Sequence, residues 1–166
     1  MINVITKPIF DPCVGSGMFY FDKNNPLVHK NDVRKGFEIN LCDGRGFKII
    51  AETGWDYTNL PIADNSAYLI PFDPSHLIDA ASTGWQAIKY GILDKDWRTQ
   101  LRKGFAECFR VLKPNGVLIF KWNEVDIPVR EILALTPYKP VFGHKSGKAS
   151  KTHWICFFKY GNEVIK

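Results

Sequence analysis

Four cysteines in 166 residues, none in a C-x-x-C pair, provide neither a disulfide framework nor a spaced zinc-ligand set. Cys13, Cys42, Cys108 and Cys156 read instead as reduced core or turn residues, and no metal is expected. No apolar run approaches the roughly 20 residues that a membrane span needs, so no membrane partner is expected. The opening M-I-N-V-I-T-K-P lacks the basic-then-apolar layout of a signal peptide, so the expected location is cytoplasmic. No repeat, low-complexity block or interdomain linker is present, and at 19.0 kDa a single domain over residues 1–166 is expected. Charge is not extreme either: a net +5 permits a polyanionic partner without requiring one.

What the chain does have is concentrated first in residues 9–20, I-F-D-P-C-V-G-S-G-M-F-Y. Ile9 and Phe10 end a buried strand, Asp11-Pro12 breaks it, and Gly15-Ser16-Gly17 forms a turn where absent β-carbons let a ligand approach the backbone. A plain turn is the alternative. A strand, a glycine turn and a short helix over residues 18–23 is the layout that binds ligands at the carboxyl end of the first strand of an open α/β sheet. The third glycine of G-x-G-x-x-G is missing, with Tyr20 in its place, which argues against a dinucleotide-binding oxidoreductase. About 20 residues after such a turn, a carboxylate at the end of the second strand accepts ribose hydroxyls. Asp32, closing L-V-H-K-N-D, fits that spacing, and Asp43, in L-C-D-G-R after a strand over residues 37–42, competes with it.

Further along, residues 62–76 read I-A-D-N-S-A-Y-L-I-P-F-D-P-S-H, a turn followed by an apolar strand that ends on Asp73-Pro74. Residues 79–94 lack helical periodicity and suit a lid. From Asp94 or Asp96 as N-cap, Trp97, Leu101, Phe105, Cys108, Phe109 and Leu112 recur at helical spacing, and L-K-P-N-G stops the helix. Residues 117–122 form a buried strand and residues 127–135 a helix with Pro128 in its first turn. Residues 138–159 form two final strands. The loop joining them, G-H-K-S-G-K-A-S-K-T-H, holds Lys145, Lys148 and Lys151 and no acid, a composition suited to following a phosphate backbone or to plain solvation.

The D-P-x-x-G-x-G of residues 11–17, the acid and L-P turn of residues 56–61, the D-P-S-H of residues 73–76 and the L-K-P-N-G of residues 112–116 occur in the order found in class I S-adenosylmethionine-dependent methyltransferases. The chain resembles that family from Asp11 to Lys159, in particular DNA amino-methyltransferases with a D-P-P-Y motif, and it is also similar to the small methyltransferases of phages and prophages. The resemblance implies an α/β, Rossmann-like fold with a mostly parallel seven-stranded sheet, helices on both faces and a C-terminal antiparallel hairpin. It implies S-adenosylmethionine as cofactor, held by Asp11, Pro12, Gly15 and Gly17 at the methionine end, Asp32 at the ribose and Asp56 at the adenine amino group. Tyr57 would pack beside the adenine or belong to the core.

On the same resemblance, Asp73 and the Pro74 carbonyl would accept the N–H bonds of an exocyclic base amine as it rehybridises, and His76 would stack on the base. Ser75 and His76 depart from the family's second proline and tyrosine, which leaves the acceptor open: an amine of DNA or RNA, a small molecule, or a protein. A non-catalytic nucleic-acid-binding subunit with the same fold is the rival outside the enzymes. With the whole length taken up by the catalytic fold, a sequence-specific duplex DNA enzyme would need a dimer or a partner subunit for target recognition.

Overall fold

The computed structural model describes residues 3–40, 44–78, 84–147 and 149–161. Asp43 and Lys148 therefore lie outside the described residues. The strongest periodic signals build the centre. In α2 (Trp97–Val111) the Asp96 side chain accepts the Thr99 N–H, satisfying one of the first-turn donors that have no partner within the helix. Its buried face carries Leu101, Phe105, Cys108 and Phe109. Along β6 (Leu112–Asn123), Leu118, Phe120 and Trp122 are fully buried on one side, while Val117, Ile119 and Lys121 alternate with them on the other. The Phe105 ring sits 4.9 Å from Phe120 and 5.5 Å from Phe72, the last residue of β5 (Ala67–Phe72). Burying each such ring stabilises the fold by roughly 1.5–3 kcal/mol.

β1 (Ile9–Asp11) pairs in parallel with both β2 (Val28–Lys30) and β5, and β5 pairs in parallel with β6. β8 (Thr152–Phe158) then runs antiparallel between β6 and β7 (Phe142–Lys145), so the last two strands form the expected hairpin. The main sheet has six strands in the order β2-β1-β5-β6-β8-β7. The chain steps one way from β1 to β2 and the other way to β5, which places the switch point, and hence the crevice, at the carboxyl ends of β1 and β5.

Seven strands were expected, and the difference lies beside β2. There, one parallel bridge, Asn31 to Thr53, takes the place of a strand. The apolar segment before it is diverted: β3 (Glu38–Asn40) and β4 (Gly46–Lys48) form a separate antiparallel pair, and Ile50 then donates its N–H to the Gly15 carbonyl. The helix expected over residues 18–23 is also missing, and the chain makes turns there. Asp22 and Asn25 accept the backbone N–H groups of Asn24 and Leu27, local bonds that compete with helix formation, and three aromatics lower the propensity further. Phe19 from this segment lies edge-on, 5.9 Å from Trp154, over the sheet face opposite α2.

α1 (Trp85–Tyr90) forms within the segment read as a lid, and α3 (Val129–Leu133) is shorter than expected, with Pro128 before its first turn. L-K-P-N-G ends α2 and opens β6, and the buried Lys159 ammonium donates to the carbonyls of Phe109 and Leu112 at that junction and to Asn65 Oδ1.

Candidate functional site

Gly15 and Gly17 have φ of +55° and +66°, which residues with a β-carbon adopt only with strain. A β-carbon at position 17 would also stand 2.5 Å from Ile50 Cδ1, so Ile50 braces this turn in the absence of the helix. Beneath the turn lies Asp11, fully buried, accepting the Cys13 N–H at 2.9 Å and the Tyr20 hydroxyl at 2.7 Å. Burial pushes its carboxyl up to about 7 in spite of those two donors, and Asp73 and Asp32 add to the rise. Asp11 thus supports the turn from below. Tyr20, at the missing glycine's position, is the side chain that holds it.

Asn31, also fully buried, uses its whole amide. Nδ2 donates to the carbonyls of Pro12 and Trp55, and Oδ1 accepts from Trp55 N and Thr53 Oγ1. One side chain therefore fixes the D-P turn against the segment that carries Asp56 and Tyr57. Asp32 follows, with each carboxylate oxygen doubly engaged: Oδ1 accepts from Arg34 N and Nε, and Oδ2 from Gly15 N and Arg34 Nη2. Arg34 Nη1 reaches the carbonyls of Ile88 and Lys89, so the guanidinium connects the acid to α1.

At the end of β5, Asp73 accepts from Lys121 Nζ at 2.5 Å through Oδ2. Burial raises the Asp73 pKa, while Lys121 and His76 pull it down. Burial lowers that of His76, against the pull of Asp73. The His76 ring lies 5.4 Å from that of Tyr90, and Ser75 Oγ donates to the Tyr90 carbonyl, so the D-P-S-H turn is fastened to α1.

Three adjoining cavities meet here. One of about 250 Å³ runs from Cys13, Gly15 and Ser16 to Asp73, Pro74 and His76. A second, of about 260 Å³, shares Cys13, Arg34, Asp73 and Tyr90 with it and continues past Pro12, Asp32, Val33 and Tyr57. A third, of about 380 Å³, shares Asp73, His76, Tyr90 and Lys121 with the first and extends to Gln86, Asn123 and Thr152. The structure thus brings the glycine turn, Asp32, Tyr57 and the D-P-S-H turn together. Asp56 stands apart: its exposed carboxylate accepts the Thr58 N–H and faces a recess with Asp94, Asp96 and Lys103. Tyr57 serves the core, its ring 5.5 Å from Phe72 and against Gly104, yet its buried hydroxyl has no partner among the described residues.

Lys145 and Lys151 flank the carboxyl end of β6. Lys145 pairs with Glu124 at 2.6 Å, and Glu124 also takes His153 at 2.9 Å. These two partners lower the Glu124 carboxyl to about 2. The acid that the loop lacks is therefore supplied by the residue after β6, and one of its lysines is neutralised. Lys121, Arg34 and Asn31 are the residues sequence reasoning missed. For Lys121 a signal existed: with Phe72 paired to Phe120, the next residues of the two parallel strands, Asp73 and Lys121, must be neighbours. Among the described residues, no group of His, Cys, Asp and Glu is arranged to hold a metal, and no helix is long and apolar enough to cross a membrane.

No family model and no curated protein matches the chain. Solved structures do. It superposes on the PH0226 protein from Pyrococcus horikoshii OT3 with a TM-score of 0.51 at 14% identity, over 91% of this chain and 81% of that one. A SAM-dependent methyltransferase from Methanosarcina mazei gives 0.51 at 13% identity, over 92% of each chain. At such identities the likeness is one of fold: this chain has the Rossmann-like α/β fold of the Methanosarcina methyltransferase, with its crevice at the switch point of the sheet.

Proposed function

We propose that the protein transfers a methyl group from S-adenosylmethionine to a nitrogen acceptor, and that the acceptor is an exocyclic base amine in DNA or RNA. The observation that carries this reading is a single cavity reaching from the glycine turn to Asp73, Pro74 and His76. The residues present fit the cofactor. A turn that lacks β-carbons at positions 15 and 17, a second cavity joined to the first, and an orphaned Tyr57 hydroxyl inside the wall of that second cavity suit an elongated ligand with an apolar ring and polar edges.

Gly15, Ser16 and Gly17 would hold the methionine end. Asp32 would take the ribose, and Tyr57 and Val33 would flank the adenine. All four acceptor positions on Asp32 are filled, so Arg34 must release at least one before ribose hydroxyls can bind there. When bound, S-adenosylmethionine supplies a methyl group on a sulfonium, a strong electrophile. The chain's own part is to orient the acceptor. Asp73 Oδ1 has no hydrogen-bond partner among the described residues and would accept an amine N–H. His76, flanked by Tyr90, offers a stacking face, and the amides of Gln86 and Asn123 can read a base edge.

The lysine loop ends beside the third cavity, since Thr152 lines it and Lys151 immediately precedes Thr152. That position supports a polyanionic acceptor, to which Lys151 would contribute more than the paired Lys145. The attachment of α1 to Ser75 and Arg34 supports a second reading, a small enclosed amine as acceptor. Tritium transfer from labelled S-adenosylmethionine, run in parallel on DNA, RNA, a protein extract and a mixture of small amines, tests both. Label in nucleic acid that falls steeply with salt is expected. Label only in small amines would favour the second reading.

A further inference from the structure

We propose that Lys121 is a positioning residue for the transfer: it holds the Asp73 carboxylate by one oxygen and leaves the other for the acceptor amine. The inference rests on the reading of Asp73 given above. Lys121 extends from β6 on the face opposite α2. Its ammonium donates to Asp73 Oδ2 at 2.5 Å and stands 5.9 Å and 5.7 Å from the ring centres of Phe19 and Trp154. The two aromatic faces confine it, and Asp73 is the only carboxylate paired with it among the described residues. A carboxylate fixed through one oxygen can turn neither that oxygen nor its free partner away from the cavity.

The other charged and titratable groups around Asp73 do not replace this cation. Asp11, beneath from β1, and Asp73 repel each other when both are ionised, and Cys13 is neutral; His76 in the same turn also favours an ionised Asp73, but burial works against its own charged form. Arg34 is bound to Asp32, and Lys89 lies over the rings of Trp85 and Tyr90 on α1. In the transfer, the nitrogen lone pair forms the new N–C bond and the electron pair of the broken S–C bond stays on sulfur. The surplus proton on nitrogen passes to Asp73 Oδ1 and from there to water, while Lys121 keeps its protons throughout.

Removing the cation makes Asp73 harder to ionise, so the acid limb of the rate profile should move to higher pH. The test compares wild type, Lys121→Met, Lys121→Gln and Lys121→Arg by two measurements: the pH profile of kcat, and the titration of the Asp73 carboxyl followed by carbon NMR without substrate. Lys121→Met and Lys121→Gln should shift both by about one pH unit or more and lower kcat at neutral pH by roughly tenfold, with S-adenosylhomocysteine affinity within twofold. Lys121→Arg should behave as wild type. In Asp73→Asn, which has no carboxyl left to titrate there, the further change Lys121→Met should leave the pH profile of kcat unmoved.

An Asp73 titration that does not move in a folded Lys121→Met or Lys121→Gln protein overturns the proposal whether or not the protein transfers methyl groups. Inactivity of Lys121→Arg also overturns it, because a guanidinium preserves the cation but cannot serve as a base, and Lys121 would then be the proton acceptor. A wild type that transfers methyl to no acceptor while the titration moves as expected overturns the functional reading and leaves the Lys121–Asp73 coupling in place.

Discussion

The two sides of the sheet are held by different physics. From β5 to β8, long strands and α2 interlock through rings: Phe72, Phe120 and Phe157 are each buried with their centres about 6 Å or less from that of Phe105. β1 and β2 have only three residues each, and their carboxyl ends are joined by three buried polar side chains, Asp11, Asn31 and Asp32. The polar side is where the crevice opens. A ligand-binding end needs backbone groups turned towards the ligand, so something other than a ladder has to satisfy the rest. The aromatic side supplies rigidity, and the polar side supplies shape.

That contrast predicts separable effects. Phe105→Ala should cost about 3–5 kcal/mol of stability, the range for emptying a buried ring position, and leave S-adenosylhomocysteine affinity unchanged in the molecules still folded. Asn31→Leu should cost somewhat less, about 1–3 kcal/mol for the worst of the groups it orphans, yet weaken that affinity at least tenfold. Thermal melts and calorimetric titration of both variants check the pair. Equal losses of affinity would erase the distinction between the two sides.

Asp11 sharpens it through pH. Its folded pKa of about 7 lies above the ordinary 3.8, so between those values the folded state binds more protons than the unfolded one. Stability should therefore fall as pH rises from about 4 to about 7, and the slope should end above that window. Asp11→Asn should flatten this part of the curve, as read from denaturant midpoints at several pH values. A slope that survives the substitution would assign it to another group.

The smallest effect belongs to Arg34. Because Arg34 fills acceptor positions on Asp32, Arg34→Met should lower the melting temperature of the free protein slightly and tighten S-adenosylhomocysteine binding a few-fold, on the order of 1 kcal/mol. Weaker binding would mean that Arg34 contacts the cofactor itself.

The aromatic side was legible in the sequence because burial there repeats with a period. Residues 97–111 of α2 and residues 117–122 of β6 declare their inner faces, and Asp94 and Asp96 both offer the cap that Asp96 makes. The polar side was legible only as motifs. Gly15, Gly17, Asp32 and the D-P-S-H turn could be named, but not what holds them. Asn31 reads as one more polar residue at a strand end, and its four bonds depend on Pro12 and Trp55 arriving from elsewhere in the chain. The helix expected over residues 18–23 does not form because the Asp22 and Asn25 side chains compete for backbone N–H groups, which a reading by position in the motif does not weigh. Asp56 illustrates the same limit, since its motif predicts a role while its carboxylate faces the neighbouring recess.

The central claim is that the glycine-turn cavity holds the methyl donor while Asp73 serves the acceptor. It is tested most directly by measuring S-adenosylhomocysteine affinity and methyl transfer together in wild type and Asp73→Ala. The account predicts affinity within twofold and transfer reduced by roughly 10²-fold or more, the scale of losing one well-placed electrostatic contact in a transition state. Transfer at the wild-type rate, or an equal loss of affinity and transfer, would contradict it.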